Sequence, residues 1–462
     1  MQKMSRREAA FRRKYLSCVR HITLDPYGPG VVRMHMIPPR SDVADEPFLL
    51  LLNGAHLVPL NLSWAILLGN FMDALEPFSG REITENDWSG IAGDAVAATG
   101  RVYPFLSRKR LHSDLALMLD SLIAIARGRT PEVEVDLLTL GEYAPHMTAP
   151  HRMDLMVSAM TKNGCWHCNQ KCLHCYAAGQ PLGETAELST EEWKAVLRKL
   201  RAANIPQVTF TGGEPTLRDD LVALVREAEW FVTRLNTNGR LLTPQLCRDL
   251  YEASLDSVQV TLYAADAETH NALVGAPGFD DTVQGIRNAV EAGLIVSINT
   301  PLCSLNRDYA ATLRFAHSLG VRYATCSGLI PSGDALGENS RATALQQAEL
   351  TDILRDATAC AAALGIELDF TSPGWLDEET LRALGLQLIP SCGACLSNMA
   401  IAPDGAVVPC QSWLGGVTLG HILRDDWSAI WDGEACRAIR AESAKTERIC
   451  QLRRGNQGGE AE

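Results

Sequence analysis

Basic charge is in short supply in this chain. Over 462 residues, Lys and Arg number 42 against 55 Asp and Glu, a formal net charge of −13 at pH 7. An acidic surface argues against a dedicated binder of nucleic acid or of anionic membranes. Disorder as the main state is excluded by a hydrophobic share of 46%. The 14 cysteines are too sparse for a disulfide scaffold. Solenoid repeats and low-complexity tracts are missing, apart from a frayed Gly455–Glu462 end. The length suits about three domains of roughly 150 residues.

A secretory core is also missing. Lys3, Arg6, Arg7, Arg12, Arg13, Lys14 and Arg20 make the N-terminus basic, and Ser5-Arg6-Arg7 resembles a twin-arginine export start. Ser17-Cys18-Val19-Arg20-His21 interrupts the apolar segment that export needs. One long uncharged stretch remains, Pro47 to Met72, and its length alone permits a membrane span. However, Asn53-Gly54 signals a turn, and Pro59, Asn61 and Asn70 break the run. The expectation is a strand over Phe48–Leu52, a strand over His56–Leu60 and a buried helix over Leu62–Leu75. The protein is expected to be soluble and cytoplasmic.

Helical patterns recur at Asp87–Thr99 and Ser113–Ala126, and proline-containing turns near residue 150 mark a boundary. Beyond it, strand-like runs alternate with amphipathic helices. Strands are predicted at Asp154–Ala159, Gln207–Thr211, Phe231–Asn236, Ser257–Tyr263, Val296–Asn299 and Tyr323–Ser327. Ser189-Thr190-Glu191-Glu192 reads as a capping box, and Thr243-Pro244 as a second helix start. A third helix runs from about Asp281 to Ala292, before Gly293. Six strand–helix repeats fit a parallel sheet that is closed or partly closed, with Glu367–Phe370 at its edge.

Cysteines crowd into two groups. The first reads Cys165-Trp-His-Cys168-Asn-Gln-Lys-Cys172-Leu-His-Cys175-Tyr176 and follows the first predicted barrel strand. Reactive groups of such folds sit at the C-terminal ends of the strands. Cys165-x2-Cys168 with Cys172-x2-Cys175 suits a zinc ion. Cys168-x3-Cys172-x2-Cys175 suits three irons of a [4Fe–4S] cluster with the fourth iron open. His167 and His174 read as loop-packing or substrate-facing. Cys18, Cys247, Cys303, Cys326 and Cys360 are isolated on apolar segments, where buried thiols are the default.

Cys168-x3-Cys172-x2-Cys175, with Asn after the first cysteine and Tyr after the third, resembles the signature of the radical S-adenosylmethionine (SAM) superfamily. Thr211-Gly212-Gly213-Glu214-Pro215 resembles that family's GGEP segment, and Asn236-Thr237-Asn238-Gly239 its TNG segment. The resemblance covers about residues 152–385. It implies an α/β fold, a partial (β/α)6 TIM-type barrel, with an α+β N-terminal domain (1–150), a radical SAM core (151–385) and a small cysteine-rich C-terminal domain (386–462). It implies that Cys168, Cys172 and Cys175 hold a [4Fe–4S] cluster whose open iron takes SAM. One electron then cleaves SAM to methionine and a 5′-deoxyadenosyl radical, which abstracts hydrogen from substrate. Gly212 and Gly213 would let backbone approach the methionine amino group. Glu214 and Asn238 are candidate polar contacts to SAM, and Thr261 and Asn299 candidates for the ribose or carboxylate. A flavodoxin- or ferredoxin-type electron donor is implied. Cys165 is extra to the signature and reads as structural or incidental.

The second group reads Cys392-Gly-Ala-Cys395, then Pro403-Asp-Gly405 as a hairpin turn, then Cys410. With Leu419-Gly420 and Trp427-x3-Trp431 it resembles a SPASM or twitch extension, an auxiliary-cluster domain. Cys450 is followed by Gln-Leu-Arg453 where that pattern has a further cysteine. The resemblance therefore implies one auxiliary [4Fe–4S] cluster, on Cys392, Cys395, Cys410 and Cys450, with Cys436 as the alternate fourth ligand. A zinc-ribbon-like site is the competing structural reading.

Residues 48–75 and the helices after them resemble in order the RiPP recognition element, which binds leader peptides by strand addition. An exposed edge near residues 48–60 would receive the peptide. The first expectation for function is a peptide maturase. The alternatives are an enzyme acting on a small metabolite or cofactor precursor, and an iron–sulfur binding or electron-transfer protein.

Overall fold

The computed structural model describes residues 5–15, 20–24, 32–39, 47–53, 56–78, 83–144, 147–371, 376–386, 390–415, 417–445 and 450–454. Cys18, Gly54 and the Gly455–Glu462 end lie outside the described residues. Contacts divide the chain into two units, Met1–Thr148 and Ala149–Glu462.

The first unit holds an antiparallel meander of β1 (Arg20–Leu24), β2 (Val32–Ile37), β3 (Phe48–Leu52) and β4 (His56–Leu60), in that spatial order. The helix Leu62–Leu75 follows at once, and the Asn61 side chain caps it by accepting the Trp64 N–H. Helices Glu85–Val102 and Arg108–Ala126 complete the unit. Leu50, Met34, Leu68, Phe71 and Met118 share its core. The uncharged stretch is therefore two core strands and a core helix. No helix among the described residues is long and apolar enough to cross a membrane. The basic N-terminus, read as an export-like start, forms the helix Arg6–Tyr15. One expectation needs correction. β3 lies inside the sheet, so the edge expected over residues 48–60 belongs to β4 alone. On β4 the Leu57 carbonyl accepts the Leu138 N–H at 2.9 Å.

The second unit begins with β5 (Arg152–Ser158) and a short hairpin, β6 (Thr161–Lys162) with β7 (Cys165–Trp166). Then come β8 (Gln207–Gly212), β9 (Val232–Thr237), β10 (Ser257–Thr261), β11 (Ile295–Pro301), β12 (Tyr323–Ser327) and β13 (Glu367–Phe370). β5 and β8 to β13 pair in parallel, in chain order, with helices between them. This is a partial (β/α)6 barrel with β13 extending one edge. The predicted caps are formed. Ser189 and Glu192 exchange reciprocal bonds, and the Thr243 side chain accepts the Leu246 N–H ahead of Pro244. The tail joins the opposite edge. β14 (Asn398–Ile401) pairs in parallel with β5, and β15 (Ala406–Val408) and β16 (Gly420–His421) continue antiparallel. The turn between β14 and β15 needs Gly405, whose φ is +92°.

Candidate active site

Alternation along the barrel strands builds the site. Side chains of a strand point to opposite faces in turn. Met153, Leu155, Val208, Phe210, Leu235, Val258 and Val260 are buried apolar residues of the strands. The residues between them, including Asp154, Thr209, Arg234, Asn236, Gln259 and Thr261, line one cavity of about 390 Å³. That volume lies in the range of about 300–1,000 Å³ typical of small-molecule sites.

All three cysteines of the C-x3-C-x2-C run open onto this cavity, as do Gly212, Gly213, Glu214, Asn238, Thr261 and Asn299. Cys410 and Cys450 line it too. Cys165 is exposed on β7, outside the lining. His174 lines the cavity with its Nε2 2.8 Å from Thr343 Oγ1. Cys326 is buried and absent from the lining, while its neighbours Thr325 and Ser327 contribute to it.

The loops at the cavity mouth are tightly joined. Gly212 has φ +143°, and a Cβ there would stand 2.2 Å from the Ser158 carbonyl oxygen. A Cβ on Gly213 would stand 2.7 Å from the Ala159 oxygen. The two glycines let β8 end against the strand that carries the cysteine loop. Glu214 is buried and accepts four bonds. Its Oε1 takes the Thr216 N–H at 3.0 Å, the Thr216 hydroxyl at 2.6 Å and the Thr237 hydroxyl at 2.7 Å. Its Oε2 takes the Asn238 N–H at 2.8 Å. Burial nevertheless raises the Glu214 pKa above the usual range. Asn238 donates to Asn169 Oδ1 at 2.6 Å, which ties the TNG segment to the cysteine loop.

The donor set fits an iron–sulfur cluster. Burial pushes the Cys168 thiol up to about 12 and raises Cys172 and Cys175 as well. As free thiols they keep their protons, and metal is the partner that replaces a proton on sulfur. Among the described residues, no three His, Cys, Asp or Glu side chains converge on a point fit for one metal ion. A cubane spreads its ligands more widely than a zinc ion does. The cavity also holds buried polar atoms without partners, Asn236 Oδ1 and Gln170 Nε2, ready for a polar cofactor.

In the tail, Cys410 is influenced electrostatically by Cys450 and Cys392. Cys395 shares a hydrogen with Cys436, and the Arg440 guanidinium donates to Cys436 Sγ at 3.5 Å. That arrangement draws the Cys436 pKa down and leaves the proton on Cys395. Five cysteines therefore gather in the tail, and Cys436 meets Cys395 rather than standing apart.

Sequence reasoning missed the inward row of Arg152, Asp154, Arg234, Asn236, Gln259 and Thr325. A readable signal existed. Arg-x-Asp, Arg-x-Asn and Gln-x-Thr alternate with apolar residues on helix-covered strands, so their polar faces must turn inward.

A barrel with a cysteine loop and glycine-cradled strand ends at one mouth has the layout of a cofactor site. More particularly, residues 167–316 match the radical SAM superfamily and residues 392–452 match SPASM, an iron–sulfur cluster-binding domain. These domains imply a [4Fe–4S] cluster, SAM and auxiliary iron–sulfur binding. A probable GTP 3′,8-cyclase of Saccharolobus solfataricus is 34% identical over 171 residues, 36% of this chain and 55% of that relative. An AdoMet-dependent heme synthase of Oleidesulfovibrio alaskensis is 33% identical over 172 residues, 36% of this chain and 44% of that relative. The chain thus spans about half the length of the curated relatives it matches. Streptococcus suis SuiB bound to the precursor peptide SuiA shares the fold, with TM-score 0.59 and 14% identity, over 88% of this chain and 93% of that one. The enzyme anSMEcpe with bound AdoMet aligns with TM-score 0.50 and 17% identity, over 64% of this chain and 84% of that one.

Proposed function

We propose that the protein is a peptide-modifying radical SAM enzyme. When bound, the cluster and SAM supply one-electron cleavage and a hydrogen-abstracting 5′-deoxyadenosyl radical. Cys168, Cys172 and Cys175 would hold the cluster through three of its irons. The backbone at Gly212 and Gly213 would take the methionine group of SAM, and Thr261 and Asn299, which line the same cavity, would take its ribose or carboxylate. Glu214 and Asn238 fix the two loops around the cofactor and offer it polar contacts. Leu329, Ile330 and Pro331 line the cavity with apolar surface and keep water away from the reacting atoms. Cys392, Cys395, Cys410 and Cys450 would hold one auxiliary [4Fe–4S] cluster. The electron donor is of flavodoxin or ferredoxin type, and the setting is a reducing cytoplasm.

The observation that carries the peptide reading is the first unit, an antiparallel sheet followed by three helices, which suits strand addition by a leader peptide. The whole chain's likeness in fold to a peptide-bound SuiB supports the same reading. The test is anaerobic. The reconstituted protein is reduced with dithionite, and 5′-deoxyadenosine formed from SAM is quantified beside a Cys168→Ala/Cys172→Ala/Cys175→Ala control. Binding of leader-like peptides to the full chain follows. A small-metabolite substrate is the second reading, favoured by the names of the sequence relatives. Peptide binding without response to small molecules decides for the first. A protein that binds clusters yet never cleaves SAM would belong to the electron-transfer class.

A further inference from the structure

Three polar side chains on neighbouring barrel strands are joined in a line. Val258 and Val260 on β10, Ile298 and Thr300 on β11, and Ala324 and Cys326 on β12 are buried. Gln259, Asn299 and Thr325, which alternate with them, line the cavity. Asn299 and Thr325 are direct cross-strand partners, at the level of Thr261 on β10. Gln259 Nε2 donates to Thr325 Oγ1 at 3.2 Å, and the Thr325 hydroxyl donates to Asn299 Oδ1 at 2.8 Å.

The hydroxyl proton has two acceptors within reach. The Ile298 carbonyl oxygen stands 3.3 Å from Thr325 Oγ1, against 2.8 Å for Asn299 Oδ1. O–H···O bonds cluster near about 2.7–2.8 Å, so the proton goes to Asn299. Gln259 reinforces that direction. Its N–H engages a lone pair of Thr325 Oγ1 and polarises the hydroxyl toward the next acceptor. Turning the Asn299 amide over would set its NH2 group against an oxygen that already receives a donor, and would push the proton onto the longer bond. The amide is therefore held with its oxygen toward β12. Its Nδ2 makes no hydrogen bond among the described residues and is not sealed off from the cavity. An asparagine can in general present either a donor or an acceptor to a ligand, and here the donor is the end left open.

We propose that Thr325 is a positioning residue which, with Gln259 behind it, fixes Asn299 as a hydrogen-bond donor to an oxygen of SAM. This rests on the reading above that Asn299 takes the ribose or carboxylate. Thr325 and Gln259 act through Asn299, by setting which end of its amide the cofactor meets. The arrangement removes the cost of sorting the amide at the moment of binding, and preorganisation of this kind appears as affinity.

The test reads binding without turnover. The reconstituted full chain is kept anaerobic and without reductant, and SAM dissociation constants are measured by equilibrium dialysis. Asn299→Asp keeps the acceptor for Thr325 but replaces the donor by an oxygen, so SAM is expected to bind about tenfold more weakly. Thr325→Val frees the amide to turn, and a loss of about fivefold is expected. Thr325→Ser keeps the hydroxyl and should stay within about twofold of wild type, with Gln259→Leu between the two. A Thr325→Val loss shared by SAM and decarboxylated SAM assigns the donor to the ribose, and a loss confined to SAM assigns it to the carboxylate. Iron content and melting temperature report folding, and Asn299→Asp with Thr325→Ser carries the test if the valine variant fails to assemble. Unchanged binding in Thr325→Val, an equal loss in Thr325→Ser, or wild-type affinity in Asn299→Asp would each overturn the proposal. Failure of the underlying reading appears separately, as wild-type affinity in Asn299→Ala. A loss in Asn299→Ala with none in Thr325→Val removes the positioning role alone.

Discussion

The carboxylate of Glu214 accepts the backbone N–H of Asn238 at 2.8 Å, joining the loop after β8 to the loop after β9. The same carboxylate holds the Thr237 hydroxyl and both donors of Thr216. Glu214→Ala would leave these four donors without their acceptor in a buried site. A loss of about 3 kcal/mol of stability is expected, with weaker cluster retention. Glu214→Gln is expected to cost less, because its amide oxygen still serves one loop. Melting temperature and iron content check both.

Cysteine replacement separates the two metal sites. Wild type is expected to hold about eight irons per chain, and the Cys168→Ala/Cys172→Ala/Cys175→Ala variant about four. Electron paramagnetic resonance of the variant should retain an auxiliary signal and lose the change on adding SAM.

In the tail, Cys450→Ala is expected to remove the auxiliary signal. Cys436→Ala should keep it, since Cys436 is buried beside Arg440 whereas Cys450 and Cys410 face the cavity. Iron analysis of the two single variants checks the choice of fourth ligand.

Gly212→Ala drives a methyl group to 2.2 Å from a backbone oxygen, at a φ of +143° that other residues rarely adopt. A loss of about 3 kcal/mol is expected. Gly365→Ala shares the positive φ but meets nothing within 4 Å, so it should cost about 1 kcal/mol. Comparing the two melting curves isolates the close approach at the cavity mouth.

Asp369 on β13 gives a pH signature. Burial, aided by Glu367, raises its pKa from 3.8 to about 6. The folded state therefore binds the proton more tightly than the unfolded state does. Its stabilising contribution is complete below pH 3.8 and is lost as pH rises through about 6. Asp369→Asn should remove that slope and stabilise the protein at pH 7 by about 1 kcal/mol, allowing for solvent screening. Thermal melts from pH 4 to pH 8 check it.

Features set by local chemistry were legible in the sequence. The capping box at Ser189, the proline start at Pro244 and the strand–turn–strand run before Leu62 all depend on neighbours a few residues away. The segments carrying Cys168, Gly212 and Asn238 were readable because each motif follows a strand-like run. Long-range partners were not. Glu214 looks like a ligand contact in sequence, and only folding brings it to Thr237, 23 residues on. Cys436 sits alone in the sequence and meets Cys395 through the packing of the tail. Strands β1 and β2 went unpredicted because they are short and interrupted by charged residues and histidines.

Residues 398–401 pair with residues 152–155, so the strand leading into the first cysteine loop gains its second neighbour only after all the other barrel strands have been made. Until then a nascent chain holds β5 with one side open, and Met153-Asp154-Leu155-Met156-Val157 offers free backbone groups to any passing strand. The tail is thus a late-arriving stopper. A chain halted before that hairpin would present the open edge of β5 to its own copies.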